Sequence, residues 1–226
     1  MNYSLGLRKS LMTLVFFGTF ISSQAANANP PFFRTGEVVS IGGMQSAGTA
    51  MYSLEDSWVR VVIAGVHKVG DEVKNSAGGS VGKIEKVYRE YQISVVKLGS
   101  NYNHFAYEHL TTAHEVSGST PVISPYDLGY YTVNTGGEII ELGVREKSAN
   151  IPFLDATGFQ RLLIQGYRIR APMKMRPENN GAIVQVEISN NSSIGLGILV
   201  GHNTLDEYEW AAVPLSIFIE KFKLTF

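Results

Sequence analysis

The chain has 226 residues, 44% of them hydrophobic and only 17% charged, which is too apolar and too weakly charged for a disordered protein. Its 19 basic residues nearly balance its 20 acidic ones, and this argues against a broad electrostatic footprint for nucleic acid or an anionic membrane. With no cysteine it has no disulfide, no thiolate zinc site and no cysteine nucleophile.

Residues 1–28 have the pattern of a secretory signal peptide. Arg8 and Lys9 form a positive start, Leu11 to Ile21 is an apolar run too short to span a bilayer, and Ala26-Asn27-Ala28 is a small-x-small cleavage site. Cleavage after Ala28 leaves one expected domain, residues 29–226, beginning at Asn29. An exported, cysteine-free chain points to a bacterial periplasmic or secreted protein that relies on its core for stability.

Downstream, short β-branched runs alternate with turn signals. The runs are Val38 to Ile41, Trp58 to Val66, Gln92 to Leu98, Tyr130 to Val133, Ile139 to Val144, Leu162 to Ile169, Ile183 to Ile188 and Ile194 to Val200. Between them lie Gly42-Gly43, Gly78-Gly79, Gly136-Gly137, Asn179-Asn180-Gly181 and Asn190-Asn191. Strands this short at this spacing predict an all-β sandwich or barrel. Ser117-Gly118-Ser119-Thr120-Pro121 and Ser124-Pro125 place a break between two halves near residues 115–130. After Pro214, Leu215, Phe218, Ile219 and Phe222 mark one face of a short C-terminal helix. The alternation of Phe218, Phe222, Leu224 and Phe226 also allows a small outer-membrane β-barrel, although Glu220 breaks its lipid side.

Three segments carry a resemblance. Gln92-Ile93-Ser94-Val95-Val96-Lys97-Leu98 resembles the Asp-Ile-Ala-Val-Val-Lys-Leu segment of chymotrypsin-like serine proteases, with Gln92 in place of the aspartate. Asn179-Asn180-Gly181-Ala182-Ile183-Val184 resembles that family's Asp-Ser-Gly-Gly-Pro-Val, with Asn180 in place of the serine. Ser46-Ala47-Gly48-Thr49 resembles its Thr-Ala-Gly-His, with Thr49 in place of the histidine. The chain order and approximate spacing agree with the His, Asp, Ser template. From about Gly36 to Phe222, the resemblance implies two packed β-barrel halves of the trypsin type. It also implies a degenerate triad without hydrolytic power, because asparagine is no nucleophile, threonine no base and glutamine no carboxylate. Glu178 and Asn179 replace the Gly-Asp that shapes the oxyanion turn. The competing reading of Asn180-Gly181 is a two-residue type I′ hairpin turn.

Other candidates are weaker. His104, His109 and His114 recur every five residues, a spacing that gathers them round a metal only in a loop. His114 with Ser117 or Ser119 offers an alternative active hydrolase, but no aspartate completes it. Gly78-Gly79-Ser80-Val81-Gly82 matches Gly-x-Ser-x-Gly in a setting that suits a hairpin better. Arg168, Arg170, Lys174 and Arg176 alternate with apolar residues and give a basic strand face able to receive an acidic peptide. The expectation is a peptide or protein partner bound through Arg168, Arg170 and Gly181, with no cofactor, no nucleic acid and no stable membrane span.

Overall fold

A computed structural model describes residues 30–104, 110–112, 131–135, 138–189 and 192–225. The apolar runs form strands in chain order: β1 Val38–Ile41, β2 Met44–Ala47, β3 Thr49–Ser53, β4 Val59–Ala64, β5 Glu72–Asn75, β6 Ser80–Tyr88 and β7 Ile93–Leu98. These follow in β8 Leu110–Thr112, β9 Tyr131–Thr135, β10 Glu138–Leu154, β11 Gln160–Arg170, β12 Ile183–Ser189, β13 Ser192–Asn203 and β14 Glu209–Pro214. A short helix follows, with α1 at Leu215–Ile217 and a π-helical turn at Phe218–Phe222, and β15 Leu224–Thr225 ends the described chain.

Two curled sheets result. The first has strand order β15-β3-β4-β7-β6-β5-β1-β2, so the C-terminal β15 crosses back to the N-terminal half. The second runs β12-β9-β10-β11-β14-β13 and closes on itself through β12–β13, with β8 parallel to β13 at its margin. The first sheet's internal strands end at Leu98 and the second begins at Leu110. Residues 115–130, where the break was expected, lie outside the described residues.

Strand β4 shows how sequence period becomes packing. Val59, Val61 and Ile63 point into the first sheet's own core with Val39, Val73 and Val96, whereas Val62 and Ala64 point into a second core. Ile183, Ile198, Val200, Ala211 and Val213 of the second sheet join that core, as do Leu215, Phe218, Phe222 and Leu224. The terminal aromatics are therefore interior: Phe222 stacks on Tyr88 at 3.7 Å and meets Phe218 edge-on. This corrects the outer-membrane barrel alternative, because two sheets share a packed core and Phe218 and Phe222 belong to a helix turn rather than a lipid-facing strand.

The Gly-x-Ser-x-Gly stretch is the β5–β6 hairpin, with Gly78 at φ +82° and Ser80 opening β6. Asn180-Gly181 is no two-residue hairpin. It follows a 3₁₀ turn at Pro177–Asn179 and leads into β12, which pairs with β13 and β9.

Candidate functional site: the seam between the two barrels

The Asn180-Gly181 segment lies against the edge strand β2. Ala47 donates its N–H to Asn180 O at 2.6 Å, and Ser46 Oγ lies 2.9 Å from the same carbonyl. Thr49 Oγ1 donates to Gly181 O at 2.8 Å. Gly181 has φ +83°, and a Cβ there would sit 2.1 Å from Ala47 O and 2.5 Å from Ser46 Oγ. No other residue type fits this approach.

The end of β4 joins this contact to Gln92. Ala64 donates its N–H to Ser46 Oγ at 3.2 Å, and Gly65 donates its N–H to Gln92 O at 2.7 Å. Gln92 itself is left-handed at φ +54°, closing the 3₁₀ turn Arg89–Tyr91, and its Nε2 donates to Arg89 O. Its amide is thereby spent within its own turn. Beyond Gly65, Ser94 Oγ donates to Gly65 O at 2.7 Å and accepts the His67 N–H at 3.2 Å.

His67 lies at the seam. The residue is 8% exposed, with Nε2 3.3 Å from Ala64 O. Burial pushes its pKa below the ordinary histidine value, outweighing the Ala64 carbonyl and the charge of Asp71. The ring shares a narrow cleft with Ile41, Met44 and Ser46 from one side and Ala156 and Thr157 from the other barrel, with room for about one water molecule. Thr157 belongs to the tight β10–β11 turn, whose Asp155 accepts from the Thr157 hydroxyl, the Thr157 and Phe159 N–H groups and Arg161 Nε. Burial alone would raise the pKa of Asp155, but these donors win and hold it below the usual carboxylate value.

The turn before Asn180 consumes its own donors. Asn179 N–H goes to Arg176 O, Asn180 N–H to Pro177 O, Ala182 N–H to Asn179 O and Gly181 N–H to Leu199 O. Asn179 Oδ1 accepts the Arg176 N–H at 2.8 Å, tightening the turn further. Asn180 is 6% exposed, and its Oδ1 is buried without a hydrogen-bond partner among the described residues.

Of the three resemblance-derived positions, Thr49 and Asn180 are thus brought to one place, Thr49 meeting Gly181. Gln92 is linked to them through Gly65, Ala64 and Ser46. No hydrogen bond joins the side chains of Thr49, Gln92 and Asn180 among the described residues. Sequence reasoning gave no role to Ser46 and Ser94, although both lie in the segments that carry the resemblance, and passed over Ala64, Gly65 and His67 as site residues. A signal was present: Ile63-Ala64-Gly65-Val66-His67 holds a second Ala-Gly pair, at the end of a fully buried strand and followed by a histidine.

The basic run meets the chain's own acidic segment; Arg168 and Arg170 lie on β11, which ends at Arg170, so Lys174 and Arg176 follow the strand rather than share its face. Arg170 pairs with Asp206 and lies over the Tyr208 ring at 5.3 Å, Arg168 Nε is 3.9 Å from Glu209, and Lys174 Nζ is 2.8 Å from Glu207. His104 packs on Trp58 with ring centres 5.1 Å apart. His109 and His114, like Ser117 and Ser119, lie outside the described residues. Among the described residues no cluster of three or more histidine or acidic side chains could hold a metal.

Several serine proteases of known structure share this arrangement of sheets. A glutamic acid-specific serine protease superposes with a TM-score of 0.58 at 14% identity, covering 85% of this chain and 99% of its own. Protease A of Thermobifida fusca gives 0.58 at 13% identity over 85% and 96% of the two chains. Nocardiopsis protease gives 0.55 at 15% identity over 85% and 97%. The chain has the chymotrypsin-like serine protease fold. At such identities the likeness carries the architecture and leaves the activity to be argued from the site. No protein-family model and no curated protein matches the chain. Among the described residues no helix is long and apolar enough to cross a membrane.

Proposed function

We propose that this is an exported, non-catalytic protein that uses a degenerate protease fold to hold a peptide or protein partner. The observation carrying the proposal is the Asn180 N–H, which donates to Pro177 O inside its own turn. Acyl transfer needs backbone donors aimed at the developing oxyanion, and this donor faces the wrong way. The side chains agree with the backbone. Asn180 offers an amide where a nucleophile is required, and Gln92 is neutral with its amide bound to Arg89 O. Ser46, Thr49 and Ser94, whose hydroxyls sit at the seam, are all buried and engaged with backbone groups.

With catalysis set aside, the two-barrel scaffold serves recognition, which fold alone permits without chemistry. Export rests on residues 1–28, and the mature protein is expected to begin at Asn29, outside the cytoplasm. The test incubates the purified mature protein with a complex peptide mixture and follows both products and bound species by mass spectrometry. Retention of intact peptides with no new termini supports the proposal. Processive cleavage that scales with protein concentration and is abolished by one serine replacement rejects it.

A further inference from the structure

Among the described residues the second barrel leaves a stretch of β11 open. Strand β11 pairs with β10 through Leu154↔Gln160, Phe153↔Arg161, Pro152↔Leu162 and Ile151↔Leu163, but with β14 only from Tyr167 to Arg170. Strand β14 cannot reach farther, because it ends at Pro214 and the chain turns into α1 at Leu215. Gln165, at φ +57°, also bends β11 just before the paired portion. Among the described residues nothing pairs with the outer side of Gln160–Ile164.

The direction of the free main-chain groups follows from Pro152. Its carbonyl accepts the Thr204 N–H on the side away from β11, so Pro152↔Leu162 is a pair without mutual hydrogen bonds. The N–H and C=O of Leu162 therefore point outward, as do those of Gln160 and Ile164 by alternation. The donation of Gln165 N–H to Asn150 Oδ1, and of Asp155 N–H to Phe159 O, fits the same alternation on the inner side. Leu162 is 56% exposed, Ile164 60% and Phe159 65%. Natural edges are guarded by lysine, proline or brevity, and this one has neither lysine nor proline. Its single charge, Arg161, is held 3.0 Å from Asp155 and lies over the Phe159 ring.

We propose that Gln160–Ile164 is a homotypic docking strand, on which two copies of this chain pair antiparallel about a two-fold axis through Leu162. Self-pairing suits this sequence. Leu162 meets Leu162 of the second copy, Gln160 meets Ile164, and Arg161 meets Leu163, so no like charges oppose each other. Arg161 brings its own counter-ion, and the edge is electrically neutral toward its copy. One five-residue pairing buries less than the roughly 1,000 Å² of tight complexes, so the association is weak and concentration-dependent.

The absence of cysteine gives a register-specific test. Single-cysteine variants Leu162→Cys, Gln160→Cys and Ile164→Cys are oxidised in the otherwise intact mature chain, with Leu205→Cys, at an 89% exposed site, as the collision control. Leu162→Cys is expected to form a disulfide dimer at least about tenfold faster than Leu205→Cys, because pairing raises the local thiol concentration. Gln160→Cys mixed with Ile164→Cys is expected to give mixed dimers, and neither alone to do so above the control. Cross-linking of Leu162→Cys at the control rate overturns the proposal. So does self-linking of Gln160→Cys as fast as its mixture with Ile164→Cys.

Discussion

Replacing Gly181 by alanine tests the seam most sharply. Gly181 has φ +83°, which costs an alanine about 1–2 kcal/mol in backbone strain. The added Cβ also sits 2.1 Å from Ala47 O, 2.5 Å from Ser46 Oγ and 3.0 Å from Ala64 N, all on the facing barrel. Two of these are backbone atoms and cannot step aside alone, so the seam must open. Opening it loosens the Ala47 N–H to Asn180 O bond and the Ser46 and Thr49 hydroxyl contacts, each worth about 1 kcal/mol net. The expected cost is about 3–5 kcal/mol in all. Gly78→Ala is the control, because Gly78 has φ +82° but open space around it, so it carries only the strain. Urea denaturation with an unchanged m-value gives both numbers. Equal destabilisation by the two variants would refute the reasoning, since the difference between them is the close approach itself.

Three further outcomes follow from the same geometry. Ser46→Ala leaves the Ala64 N–H without its acceptor and removes a donor to Asn180 O, and chemical denaturation is expected to show a loss of about 1–3 kcal/mol. Asp155→Ala frees two backbone N–H groups, the Thr157 hydroxyl and Arg161, and is expected to destabilise the β10–β11 turn by about 2–3 kcal/mol, seen as faster amide exchange at Thr157 and Phe159. Because the folded pKa of His67 is depressed, the unfolded chain binds its proton first. Stability is therefore expected to fall as pH drops below the ordinary histidine value of 6.5 and on through the folded pKa, and His67→Gln to remove that part of the slope. A ring resonance assigned to His67 by its loss in His67→Gln, and titrating at or above 6.5, contradicts the last of these.

Local period and turn chemistry made much of the fold legible. The β-branched run at Val59–Ala64 and the paired glycines before β6 and β2 read directly as strands and turns, because short-range sterics decide them. Asn180-Gly181 stood out in the sequence as a turn signal, but its close approach to Ala47 O comes from a strand more than 130 residues earlier and no local pattern encodes it. The neighbour of Gln92 was harder. Two Ala-Gly pairs, at 47–48 and 64–65, compete for it. Only the sheet order reveals that Ala47 faces Asn180 while Gly65 reaches Gln92. The basic alternation was expected to run along one strand through Arg168, Arg170, Lys174 and Arg176, but β11 ends at Arg170 and holds only the first two, and the partner of Arg170 is Asp206, 36 residues onward, a pairing no local pattern encodes. The crossing of β15 back to β3 was equally hidden, because two residues carry no periodic signal.

The non-catalytic assignment is tested most directly by a fluorophosphonate probe on the purified mature protein, read by intact mass. No adduct is expected after prolonged exposure, and none when Asn180→Ser supplies a hydroxyl, because the backbone N–H at position 180 still points to Pro177 O. Stoichiometric labelling of the unmodified chain that one serine substitution abolishes would contradict it.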